Sequence, residues 1–165
     1  MVVKTGGIHI LLLCLSFFLS SVFAQSETSD SSKNARESIS GAFLLECAEG
    51  IATSKLTFDG EKLVQVDTFY KSGTDCTEQE GVIELTYDIT YPGGSTATRL
   101  GQAIHINYKL VAATADGDNI FSEGGIDHSI ILLDGDNLYV ANGLGRNTDQ
   151  RTETLKSEPF VRMDK

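Results

Sequence analysis

There is no tryptophan in the 165 residues, and there are only two prolines and two methionines. Neither proline interrupts an element: Pro92 opens a Pro-Gly-Gly turn and Pro159 starts a short apolar stretch. Positive charge is scarce, with 13 Lys and Arg against 23 Asp and Glu, for a net charge of −10. Such a surface repels phosphate backbones and anionic lipid headgroups, which excludes nucleic acid as a partner. Hydrophobic residues at 41% and charged residues at 22% exclude both a disordered chain and a membrane-spanning one. Beyond residue 24 no stretch keeps a helical period over three turns. There is no Gly-x-Ser-x-Gly elbow for a hydrolase nucleophile.

The one long apolar run lies at the start. Lys4 supplies a positive flank, Ile8 to Phe18 is apolar apart from His9, Cys14 and Ser16, and Ser20-Ser21-Val22-Phe23-Ala24 ends on a small residue. Residues 1–24 therefore read as an export signal cleaved after Ala24. The run is too short and interrupted for a transmembrane helix. Cys14 sits inside it rather than at the cut, so it belongs to the signal and is no lipid anchor. Cleavage removes Lys4 and leaves a charge of −11 on about 140 residues, enough for one domain. The expected location is the periplasm or the extracellular space.

Of the three cysteines, only Cys47 and Cys76 then remain. A metal cluster wants more ligands and a catalytic thiol wants a neighbouring base. Export and an even count point to a disulfide between them. Closing about 30 residues, it contributes roughly 3–4 kcal/mol in the chain-entropy view.

Residues 25–38, QSETSDSSKNARES, are polar and Ser-rich and read as a flexible leader. Residues 39–165 form the domain, and its pattern has period two. In Val82–Tyr91, Ile83, Leu85, Tyr87, Ile89 and Tyr91 share one face against Glu84, Thr86, Asp88 and Thr90. In Ala103–Ala112, Ile104, Ile106, Tyr108 and Leu110 oppose His105, Asn107 and Lys109. Further strands are expected at 41–48, 54–58, 62–70, 129–133, 137–141 and 159–163. Asp59-Gly60, Asp116-Gly117 and Asp134-Gly135 supply the positive φ of hairpin turns. About eight short strands at this spacing must close or sandwich, since an open sheet would leave bare edges. The expected fold is all-β: a small antiparallel up-and-down barrel.

Three segments then stand out: Gly41-Ala42-Phe43 with Cys47, Leu56-Thr57-Phe58-Asp59-Gly60, and Phe69-Tyr70 ahead of Cys76. Together they resemble the lipocalin-like (calycin) domains. More narrowly, they are similar to barrel domains of the adenomatosis polyposis coli down-regulated 1 type and to small exported bacterial proteins without an assigned role. Such bacterial chains carry a Leu-Tyr strand, then Arg-Pro-x-x-Leu and aromatic-x-Arg. The counterparts are Leu138-Tyr139, Arg151-Thr152-Glu153-Thr154-Leu155 and Phe160-Val161-Arg162. The resemblance spans residues 39–163 and departs at two places, with Phe43 where Trp is usual and Thr152 where Pro is usual. In true lipocalins the Trp packs on an Arg at the closed end. Phe43 with Arg151 or Arg162 is the expected substitute. The resemblance implies a barrel and a ligand cavity without naming a ligand.

The residues that might carry chemistry have plainer explanations. Asp127-His128-Ser129 has the composition of a triad, but neighbours on a strand point to opposite faces. His105 lies on the polar face of its strand and is expected in solvent. The two Asp-Gly-Asp-Asn segments offer oxygens, yet neither continues into a calcium loop, and hairpin turns account for both. Asn142-Gly143-Leu144-Gly145-Arg146 reads as a loop outside the strand–helix setting of a phosphate site. No cofactor, metal or catalytic residue is expected. The expected function is binding of a small apolar or amphiphilic molecule by Phe69, Tyr87, Tyr91, Ile106, Tyr108 and Tyr139. The alternative is a non-enzymatic structural or interaction module with a filled core.

Overall fold

The computed structural model describes residues 34, 36–48, 52–122 and 124–163. The expected signal and most of the leader lie outside these residues. Residues 36–39 form a helical turn whose last member, Ile39, is fully buried.

Ten strands follow: β1 (Gly41–Ala48), β2 (Ala52–Asp59), β3 (Lys62–Tyr70), β4 (Gln79–Thr90), β5 (Ser95–Ala97), β6 (Gln102–Ala115), β7 (Asp118–Asn119), β8 (Ile126–Asp134), β9 (Asn137–Val140) and β10 (Phe160–Arg162). Eight of them form one closed antiparallel barrel in the order β4-β3-β2-β1-β10-β9-β8-β6, with β6 returning to β4. Each barrel strand pairs with the next one in sequence. The ring closes where last meets first, at Phe43↔Arg162 and Leu44↔Val161. The short β5 and β7 are side pairings on β6. Closure removes the open edges that the sequence pattern warned against.

The turns behave as their residues dictate. Asp116 and Gly117 both take positive φ, +50° and +89°, which matches the twist of the flanking strands. The Asp116 carboxylate also accepts a hydrogen bond from the Val82 amide at 2.8 Å, tying the β6–β7 turn to β4. A bulge in β6 between Leu110 and Ala112 shifts the alternation by one residue. Leu110 and Ala113 can then both face the lumen, opposite Tyr87 and Leu85.

Among the described residues, the larger of two buried clusters lies inside the barrel toward one end, and a smaller one of Ala103, Ile130 and Ala141 packs with Leu132 and Leu155. Ile39, Phe43, Leu56, Phe58, Leu63, Ile89, Ile106, Ile131, Leu138 and Phe160 form the larger cluster. Phe43 meets Phe58 edge to face at 6.0 Å. The Arg162 guanidinium lies over the Phe43 ring at 4.5 Å and donates to the carbonyls of Ser40 (2.8 Å) and Ser38 (2.7 Å). This end is therefore closed by the Ile39 turn and by a Phe–Arg stack. Gly41 makes the stack possible. Its φ is +120°, and a Cβ there would sit 3.1 Å from Arg162 Nη1.

Burial along the long strands is graded rather than uniform. On β4 only Ile89 is fully buried, while Ile83, Leu85 and Tyr87 are half-buried. On the opposite face Glu84 is exposed, but Thr86 and Asp88 are half-buried as well. His105, expected in solvent, is half-buried because β5 and the Pro92–Gly94 turn cover it. Its Nε2 lies 3.0 Å from Thr96 Oγ1.

Candidate ligand cavity

Cys47 and Cys76 are joined by a disulfide with Cα atoms 5.7 Å apart. It pins the loop after β3 to a bulge at the end of β1, opposite the closed end. The barrel wall on the far side is thin, since β9 has four residues and β10 three. Residues 141–159 complete it. Asn142 N donates to Thr154 O at 2.9 Å, Lys156 N donates to Val140 O at 2.8 Å, and Gly145 bridges His128 through both backbone groups.

This segment is anchored by Arg151. Its Nη1 donates to the carbonyls of Ile106 (2.9 Å) and Ser129, and its Nη2 donates to Asn107 Oδ1 at 2.9 Å. The same Asn107 oxygen lies 2.8 Å from His128 Nδ1. Gly145 is required by close approach, because a Cβ there would lie 2.4 Å from Gln150 O. Loss of solvation lowers the Arg151 pKa, an effect offset in part by Tyr108. Burial also lowers the His105 pKa, helped by repulsion from Arg151 and opposed by a hydrogen bond to Gly93.

Above the filled core the lumen holds a cavity of about 460 Å³. Its apolar floor is Leu56, Leu63 and Phe160; Leu45, Val140 and Ala141 form part of its sides. Phe69, Leu144 and Lys156 also line it and are exposed, so they mark the side open to solvent. Its polar wall comes from β2 and β3. Ser54 Oγ donates to Asp67 Oδ1, and Gln65 Nε2 donates to Asp67 Oδ2 at 2.8 Å. Tyr87, Tyr108 and Ser129 complete the lining across the lumen, with Ser129 hydrogen-bonded to Tyr108.

Tyr87, Tyr91 and Tyr108 remain neutral donors at any ordinary pH. Burial raises the pKa of Tyr87, and the carboxylates of Asp67 and Asp127 raise it further. Tyr108 is raised more strongly, by burial first and then by Tyr91 and Tyr87; Ser129 and Arg151 act in the opposite sense. Burial carries Tyr91 up to about 12 despite the nearby Arg36.

No protein-family model matches the chain, and no match to it was found among curated proteins.

Of the six residues singled out in the sequence, Phe69, Tyr87 and Tyr108 line the cavity. Ile106 and Tyr91 pack in or against the core beneath it. Tyr139 lies on the other face of β9, since its neighbours Leu138 and Val140 both point inward. Asp127, His128 and Ser129 do not converge. Ser129 faces the lumen, while the His128 ring lies with Asn107 and Arg151. The polar lining of Ser54, Gln65, Asp67 and Ser129 was not anticipated. Its one sequence signal is in KLVQVDTFY, where Gln65 and Asp67 share a face with Leu63 and Phe69.

Proposed function

We propose that this chain is an exported, non-enzymatic binding module that holds one small apolar or amphiphilic molecule in its barrel, as the lipocalin-like (calycin) barrels it resembles do. The cavity carries this reading. At about 460 Å³ it falls within the range of small-molecule sites, and it is concave, mainly apolar, and bordered by a few hydroxyl, amide and carboxylate groups. A core packed to ordinary density would leave no such space. The signal-type segment at residues 1–24 and the Cys47–Cys76 disulfide support export to an oxidising compartment. The divergence of Asp127, His128 and Ser129 favours binding over hydrolysis.

Titration with N-phenyl-1-naphthylamine, whose fluorescence rises in apolar surroundings, tests the reading. Saturable binding at one probe per chain is expected, weakened several-fold by Leu45→Trp, which puts bulk into the cavity. Absence of saturable binding to the folded protein would favour an interaction module.

A further inference from the structure

Resting on that reading of the lumen, we propose that the cavity is selective for cationic amphiphiles, with a protonated amine set on Asp67 and the apolar body directed to the closed end.

The order of residues along β3 gives the direction. Leu63, Gln65, Asp67 and Phe69 share the lumen face, and they run from the apolar floor to the exposed side. A ligand entering from that side buries its apolar part against Leu63, Leu56 and Phe160 and leaves its head at the level of Asp67. Asp67 is half-buried and held in place from both sides, yet only by the neutral donors Ser54 and Gln65. Among the described residues no cation pairs with it. A carboxylate has about four acceptor positions, so two remain for a ligand. Ser54 and Gln65 donate to Asp67 but bring no counter-charge, which an incoming cation supplies along with its own hydrogen bonds.

A second carboxylate acts in the same sense. Asp127 stands opposite Tyr108 in the β6–β8 register and so shares its lumen face. It and Asp67 both act on the Tyr87 hydroxyl. Among the described residues, Lys156 is the one cation in the lining. It is exposed, and its backbone is bonded to β9, across the ring from β3. Charge in the lumen is therefore negative on the enclosed wall and positive only where solvent screens it. At Asp67 an ammonium head gains an ion pair together with its hydrogen bonds, a hydroxyl head gains a hydrogen bond alone, and a carboxylate head is repelled.

The test is calorimetric titration of the full chain with octan-1-amine, octan-1-ol and octanoate, at concentrations where none forms micelles. The amine is expected to bind about tenfold more tightly than the alcohol, with octanoate weakest. Asp67→Asn is expected to abolish the preference, with the amine losing far more affinity than the alcohol and the two then binding about equally. Asp118→Asn, which removes one exposed charge from β7, is expected to leave the amine preference intact and so separates the lumen from the general acidic surface. Equal binding of all three probes would overturn the cationic selectivity and leave the lumen reading standing. So would tighter binding of octanoate, which would make Lys156 the anchor, or an amine preference that survives Asp67→Asn. If neither these probes nor N-phenyl-1-naphthylamine bind, the lumen reading fails and the selectivity fails with it.

Discussion

Arg162 does at the closed end what no apolar residue could. Its fork satisfies the carbonyls of Ser38 and Ser40, its plane covers Phe43, and its Nε lies 3.7 Å from Asp136. Arg162→Ala should lower unfolding stability by roughly 2–4 kcal/mol, from two charge-assisted hydrogen bonds and one cation–π contact. Arg162→Lys should recover only part of this, because an ammonium does not match the fork. Denaturant unfolding of the three proteins checks both expectations, and a loss under about 0.5 kcal/mol for Ala would mean the stack is dispensable. His105 gives an expectation in pH. Its folded pKa lies below the ordinary 6.5, so the unfolded chain takes up the proton first as pH falls. Its contribution is thus present above 6.5 and lost on acidification. Stability of the wild type should fall faster from about pH 7 to about pH 5 than that of His105→Gln. Parallel curves would rule out the covered site beneath β5. The Phe43–Arg162 pair was one of two partners expected from the resemblance, and the register Phe43↔Arg162 selects it. Arg151, the other, anchors the segment at 141–159 instead.

The disulfide is the clearest case at the scale of elements. It links the bulged end of β1 to the loop beyond β3, across the intervening β2, over a separation of 29 residues. The double variant Cys47→Ala/Cys76→Ala should lose about 3 kcal/mol, measured by thermal or denaturant unfolding, while keeping its β-type circular dichroism. An unchanged midpoint would show that the bulge and loop hold without it. All eight barrel strands were legible in the sequence, because alternation and Asp-Gly turns are local signals. The strand ends were less so. β4 begins at Gln79 and β8 at Ile126, earlier than their apolar runs, since partners extend pairing into polar residues. β3 hid the polar wall for a related reason. Val64 and Val66 are the apolar pair that attracts attention, but they alternate with the lumen-facing Gln65 and Asp67. Period two shows that two faces exist; which one turns inward depends on closure. Tyr139 fell on the outer face of β9 for the same reason.

For the whole molecule, the central feature is unequal filling. One end holds the aromatic and aliphatic cluster capped by Ile39 and Arg162, and the other holds a lined space. Strand count and aromatic content are the same for a filled and a hollow barrel, so sequence alone left this open. The most direct measurement is a methyl NMR titration of the folded protein with N-phenyl-1-naphthylamine. Saturable shifts are expected at Leu45, Leu56, Leu63 and Val140, which border the cavity, with Leu100 and Val161 on the exterior unmoved. No shifts at the four cavity methyls, or shifts centred on Leu100 and Val161, would contradict a ligand-binding lumen.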